Sequence, residues 1–314
     1  MTKEQAILIN IRCAQNILLL THVNPDGDTI GCVVAFYFFI KLLDQNKNVK
    51  ILAQENFNNN GKYKFLNLPQ DAILTNTNQD ELKRIDLIIA CDCGEISRTP
   101  LGQLSTNYKC PMINIDHHPN NHLFGNINLI DEKAAATTEI IFELFSNWQI
   151  PLNKQIANSL LLGIITDTDS FANLTTTPKT LEIVDKLMSL GANLADMNQK
   201  LWYNKNPQAL KYWGKILKTV KINKRYGVAL IIIPPELLKE INENEPEVND
   251  EFTDFLNYIS GIKMAMVIKI DAAAGLIKGS LRTTSDRVDV GLLANILGGG
   301  GHQKAAGFSI KIET

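Results

Sequence analysis

Eight side chains able to hold a divalent cation recur at four places along the chain. His22, Asp26 and Asp28 lie in Thr21-His22-Val23-Asn24-Pro25-Asp26-Gly27-Asp28, and Asp92 in Cys91-Asp92-Cys93-Gly94. Asp116, His117 and His118 are consecutive, and Asp167 stands in Thr166-Asp167-Thr168-Asp169-Ser170. Taken singly, each is more often a turn former or a solvated side chain. Together, several carboxylates with two or three imidazoles make the donor set of a paired Mn2+, Mg2+ or Zn2+ site, in which one carboxylate bridges the two ions. The chemistry such a set offers is Lewis-acid chemistry at a pair of cations.

Such a site needs elements that deliver the donors to one edge. The first loop lies between the apolar run Ile17 to Leu20 and a helix-length apolar segment, Gly31 to Leu43, which is the βα signature. Ile85 to Ala90 reads as a central parallel strand running into Asp92, and Met112 to Ile115 as a strand ending at Asp116. Ala134 to Trp148 reads as a helix capped near Thr137 or Thr138, and Lys154 to Ile165 as another that ends at the Asp167 cluster. In an open α/β sheet ligands gather at the carboxyl ends of the strands, where three of the four groups fall.

The fold class expected is α/β: an N-terminal doubly wound, mainly parallel-sheet domain over residues 1–192, a helical linker over 193–214, and a smaller α+β domain over 215–314. The second half carries strand patterns at Val228 to Ile233, Met264 to Asp271 and Leu276 to Thr283, then a helix, Val290 to Leu297, and a final strand from Phe308. Hydrophobic residues make up 45% and charged residues 20%, the proportions of a globular protein and not of a disordered one. A formal net charge of -2 excludes a global basic field for gripping a long nucleic acid, while a short anion held locally stays open. Ile30 to Leu43 falls short of the roughly 20 residues of a membrane span. The amino terminus lacks a signal-peptide core, and the five cysteines read as reduced residues without zinc-finger spacing, so a cytoplasmic protein is expected.

Gly298-Gly299-Gly300-Gly301-His302 follows the last helix. Backbone amides uncovered by side chains can form a phosphate-binding nest, with His302 and Lys304 directly after it. Arg282, at a strand end before Thr284 and Ser285, can fork two hydrogen bonds onto a phosphate.

The quartet HVNPDGD, CD, DHH and TDTDS, in this order, resembles motifs I to IV of the DHH phosphoesterase superfamily, and LRTTS with GGGGHQKAAG resembles its associated DHHA1 substrate-binding domain. The architecture resembles the oligoribonuclease/3',5'-bisphosphonucleoside phosphatase group, the nano-RNases. The resemblance implies two divalent ions, with manganese favoured. His22, Asp26 and Asp92 would hold one, and Asp28, Asp92, His117 and Asp167 the other. Asp116 would orient an imidazole, His118 would face the substrate phosphate, and Arg282, Ser285, Gly299, Gly300, Gly301 and His302 would bind substrate. Asp26, Asp28, Asp92 and Asp167 set four negative charges against the four positive charges of two divalent ions, so the loaded site can accept an anion. The substrates implied are short RNA oligonucleotides and adenosine 3',5'-bisphosphate, with a cyclic or linear di-AMP phosphodiesterase as the alternative and a non-catalytic nucleotide-binding module as a remote one. No membrane partner is expected, and a homodimer is left open.

Overall fold

The computed structural model describes residues 1–53, 61–75, 77, 79–102, 109–203, 206–244, 252, 255, 259–272, 274–285, 287–301 and 303–312. The chain divides into two compact units, Met1–Tyr203 and Asn204–Thr314.

The first unit contains α1 (Lys3–Cys13), β1 (Asn16–Leu20), α2 (Gly27–Leu43), β2 (Asn48–Leu52), β3 (Ile73–Leu74), β4 (Leu87–Cys91), β5 (Met112–Asp116), β6 (Ile127–Ile130), α3 (Thr137–Asn147), α4 (Lys154–Asp167) and α5 (Pro178–Ser189). Its sheet is parallel throughout, in the order β3-β2-β1-β4-β5-β6. The chain steps outward from β1 to β3, then returns to the other flank of β1 with β4. The strand order therefore reverses between β1 and β4, and the crevice beyond their carboxyl ends is the place where a doubly wound sheet binds ligands.

The central strands are apolar on both faces because both faces are covered. Ile17 and Leu19 pack into the larger core with α2, α3 and α4, while their neighbours Leu18 and Leu20 pack into a smaller core on the opposite side. Helix α2 is apolar nearly all round and lies inside the larger core. It begins at Gly27, four residues before the apolar run predicts, because the Asp26 side chain accepts the N–H groups of Asp28 and Thr29 and starts the helix there. Asp28 consequently sits in the first helical turn. Helix α4 likewise runs on through Asp167, two residues past the predicted end.

Two glycines set how closely α2 and α4 approach. A Cβ on Gly31 would lie 2.5 Å from the Ser159 carbonyl oxygen, and one on Gly163 would lie 2.2 Å from Asp28 Oδ1 and 2.3 Å from Thr138 Oγ1. Gly163→Ala therefore displaces Asp28 as well as overpacking the core, and it is expected to destabilise by about 1–3 kcal/mol. Differential scanning calorimetry checks this as a fall in Tm of roughly 2–4 °C per kcal/mol for a unit of this size. An unchanged melt would show that the helices separate without cost.

The second unit contains α6 (Pro207–Leu217), β7 (Lys221–Asn223), β8 (Val228–Ile233), α7 (Pro235–Asn244), β9 (Met264–Asp271), β10 (Leu276–Arg282), α8 (Val290–Ile296), β11 (Gly300–Gly301) and β12 (Ala305–Lys311). Its sheet runs β11-β12-β10-β9-β8-β7 and is antiparallel except where β8 meets β9. The stretch read from sequence as a linker, 193–214, is shared between the units: Met197 and Leu201 belong to the first core, Ala209 and Tyr212 to the second. No helix among the described residues is long and apolar enough to cross a membrane.

Candidate metal centre

The six side chains read as ligands, together with Asp116 and His118, converge at the carboxyl ends of β1, β4 and β5 and the last turn of α4. Three groups have donor atoms all within 4.8 Å of one another: His22, Asp26 and Asp92; Asp28, His117 and Asp167; and Asp92, His117 and His118. Asp92 lies between the others. It follows β4 with a left-handed φ of 56°, a conformation that costs a non-glycine residue roughly 1–2 kcal/mol, and it is almost fully buried.

Each half of the centre is built in the same way. His22 Nδ1 lies 2.8 Å from the Val23 carbonyl oxygen, which can only accept, so the ring proton is on Nδ1. Its Nε2 then faces Asp26 Oδ2 at 3.6 Å and Asp92 Oδ2 at 3.7 Å. His117 Nδ1 is oriented by the Ala134 carbonyl at 3.3 Å, and its Nε2 faces Asp167 Oδ2 at 3.2 Å and Asp92 Oδ1 at 3.7 Å. Two imidazole nitrogens aimed at carboxylate oxygens repel unless a proton or a cation lies between them. Donor atoms sharing one ion at ~2.1 Å stand roughly 3.0–3.5 Å apart, close to the separations seen here.

The electrostatics say the same. Burial, reinforced by the charges of Asp28 and Asp26, pushes the Asp92 carboxyl well above the usual range. Burial and then the Asp28 charge push Asp167 well up too. Burial alone would lower the imidazoles, but Asp26 and Asp92 outweigh it at His22, raising it to about 9, and Asp167 outweighs it at His117, raising it to about 11. The cluster lacks positive charge, and in the metal-free protein protons supply it. The donor set, its geometry and its charge all fit a divalent cation in each half.

A pH dependence follows. Both imidazoles have folded pKa values above their ordinary 6.5, so the stability they contribute is fully present below that value and is lost as pH rises through about 9 and about 11. A bound cation reverses the sign, because it competes with those protons and its affinity rises with pH. Melts between about pH 6 and about pH 8 should show Mn2+ raising Tm more at the higher pH, on top of the ~2.7 kcal/mol gained at a hundredfold excess over Kd. A constant difference would mean that no proton leaves on binding.

Hydroxyls and amides hold the carboxylates, and these were not legible as site residues. Asp92 Oδ2 accepts Thr29 Oγ1 at 2.6 Å and Asp92 Oδ1 accepts Thr137 Oγ1 at 3.1 Å. Asp28 accepts the Thr137 N–H at 2.6 Å, the Thr138 N–H at 3.0 Å and the Thr138 hydroxyl at 2.6 Å. Helix α3 is thus capped by Asp28, not by the threonine side chains as expected from its sequence. The signal for this was the pair Thr137-Thr138 at a helix start. Asp116, fully buried, accepts His118 Nδ1 at 2.7 Å and the His117 N–H at 2.9 Å.

In the second unit, Arg282, Ser285 and the glycines gather at one end of the sheet. Arg282 on β10 is level with Ala305 on β12, whose neighbour Ala306 pairs with Gly301 on β11. Gly300 and Gly301 form a short strand, and a Cβ on Gly299 would lie 2.1 Å from the Gly307 carbonyl oxygen, so close backbone approach is one reason for glycine here. His302 lies outside the described residues.

A parallel sheet with this constellation at its switch point, followed by a small mixed-sheet unit, defines a class of protein, and the chain belongs to the DHH family. Residues 16–164 match the N-terminal domain of the DHH family, and residues 237–314 match the DHHA1 domain. The chain is 32% identical over 292 residues to uncharacterized protein MG371 of Mycoplasma genitalium, an alignment covering 92% of this chain and 85% of that one. It is 28% identical over 298 residues to the bifunctional oligoribonuclease and PAP phosphatase NrnA of Thermus thermophilus, covering 94% and 84%. A solved exopolyphosphatase-related protein from Bacteroides fragilis shares the fold with a TM-score of 0.85 at 22% identity, over 98% of this chain and 90% of that one. DHH phosphoesterases are metal-dependent, and the phosphoesterase relatives of this chain support a hydrolase activity.

Proposed function

We propose that the chain hydrolyses phosphoesters of short oligoribonucleotides, releasing mononucleotides, and converts adenosine 3',5'-bisphosphate to AMP. The observation that carries this reading is the pair of imidazole Nε2 atoms facing carboxylates at 3.2–3.7 Å around a shared Asp92. The name of the Thermus thermophilus relative supports the substrates. His22, Asp26 and Asp92 would hold one divalent cation, and Asp28, Asp92, His117 and Asp167 the other. Mn2+ is the proposed ion, although the donor set also suits Fe2+, Zn2+ and Co2+. When bound, the two cations supply a more acidic water and neutralise charge on the phosphoryl oxygens.

The protein's own groups do the positioning. Thr29 and Thr137 donate to the two Asp92 oxygens and hold the shared carboxylate in one plane. Asp116 keeps the His118 proton on Nδ1 and so directs Nε2 toward the substrate phosphate, where the ring stabilises developing charge. Arg282, with Ser285 and the amides of Gly299, Gly300 and Gly301, is assigned to the anionic part of the substrate, and His302 is assigned there from sequence. Arg282→Ala should raise KM about tenfold or more, the loss expected for a charged hydrogen bond, with kcat nearly kept. An unchanged KM would remove Arg282 from the substrate.

The deciding assay incubates the purified chain and Mn2+ with a short RNA ladder, adenosine 3',5'-bisphosphate, linear and cyclic di-AMP and single-stranded DNA. Loss of the shortest RNAs and the bisphosphate, with cyclic di-AMP and long DNA intact, supports the proposal. Fastest cleavage of a di-AMP species would overturn the substrate assignment, and no cleavage at all would overturn the hydrolytic reading.

A further inference from the structure

We propose that Asn121 is a positioning residue that acts on His118 through Asp116. The inference rests on the reading of His118 as the group that faces the substrate phosphate. Asn121 lies in the turn after β5, where it is half-buried and forms part of the wall of an open cleft. Its amide is nonetheless fully committed. Nδ2 donates to Asp116 Oδ2 at 2.6 Å and Asn114 Oδ1 at 2.8 Å, with the Cys93 carbonyl at 3.2 Å, and Oδ1 accepts the Leu123 N–H at 2.7 Å. Carboxylate and carbonyl oxygens accept only, and the Leu123 N–H donates only, so one orientation of the amide satisfies all of these contacts.

The consequence falls on Asp116. His118 and the His117 N–H both bind its Oδ1, whereas Asn121 binds Oδ2. A carboxylate held at one oxygen can turn about its Cβ–Cγ bond; held at both, it presents Oδ1 to His118 in a fixed direction. The anchor behind Asn121 is itself rigid. Asn114 is fully buried within β5 and donates to the carbonyl of Cys93, the residue after Asp92. One run of hydrogen bonds therefore registers the end of β4 against the end of β5 and reaches the His118 ring. Beside the Leu123 N–H that the amide accepts, the turn is held by backbone bonds that do not involve it, from the His122 N–H to the Gly94 carbonyl and from the Asp131 N–H to the Asp116 carbonyl.

The test uses the full-length protein with Asn121→Ala and the equal-volume Asn121→Asp, each alone and combined with His118→Ala. Both single variants should lower kcat about 10–100-fold, the range for loss of a group that orients an active-site residue, with KM and Mn2+ stoichiometry unchanged. On the His118→Ala background either change should cost less than about twofold more, the non-additivity expected of groups acting in series. Nitrogen NMR of histidine-labelled, metal-free protein supplies a readout independent of turnover. The wild type should show His118 protonated at Nδ1, and both variants a mixture of tautomers. Equal losses on the two backgrounds, or an unchanged His118 tautomer, would overturn the proposal and leave Asn121 a structural residue. If the wild type cleaves no phosphoester, the functional reading fails while the NMR arm still decides the role of Asn121.

Discussion

Asp92→Asn is expected to abolish the proposed phosphoester hydrolysis while the protein keeps its fold. Asp92 is the residue through which both halves of the centre are joined, its Oδ2 facing His22 and its Oδ1 facing His117 and His118. An asparagine of the same shape leaves one oxygen, and its amide group cannot offer a lone pair to a cation on that side. The loss should exceed the roughly 10–100-fold that follows removal of a group merely orienting a ligand. Stability should move the other way. Burial and the neighbouring carboxylates already press Asp92 toward its neutral form, so a neutral side chain removes repulsion, and the metal-free variant should melt at or above the wild-type temperature. Turnover assays, metal analysis and melts on the same preparation check all three outcomes. A variant that binds two cations and turns over near the wild-type rate would remove Asp92 from the shared position.

Asp28→Ala should damage the fold and the site together. The Asp28 carboxylate accepts two backbone N–H groups and one hydroxyl at the start of α3, and its side chain, like Thr137 and Thr138, is fully buried. Removing it orphans three donors where water does not reach, each at about 1–3 kcal/mol. Against a total stability of roughly 5–15 kcal/mol that is a severe loss, and a fall in Tm of about 6–12 °C is expected even if two donors find partial replacements. Asp28→Asn keeps one acceptor oxygen but turns an amide toward a donor, so it should melt between the wild type and the alanine variant. Both variants should lose Mn2+-dependent stabilisation. An alanine variant that melts like the wild type would show that α3 is capped by other means.

Part of this architecture was legible because it is local. Continuous apolar runs such as Leu87–Cys91 announce strands buried on both faces, and polar donors directly after them land at carboxyl ends. Two of the boundaries that moved, the start of α2 and the end of α4, moved because Asp26 caps one helix and because Asp167 continues the other; apolar periodicity registers neither. The four glycines were read as a nest, whereas two of them form a strand whose partners supply a packing reason for the missing side chains.

The sequence by itself determined which side chains could bind a cation and at which element ends they would stand, since both depend on residue type and short-range pattern. Only the tertiary structure decided how those side chains are held. Thr137 reaches Asp28 across 109 positions of chain and Thr29 reaches Asp92 across 63. Contacts of that separation follow from the parallel sheet order and the glycine-limited approach of α2 to α4, and no local spacing encodes them. The same holds for charge: an aspartate in a loop and an aspartate buried among three others are one letter in the sequence, and burial with the neighbouring charges makes the second a site that requires cations.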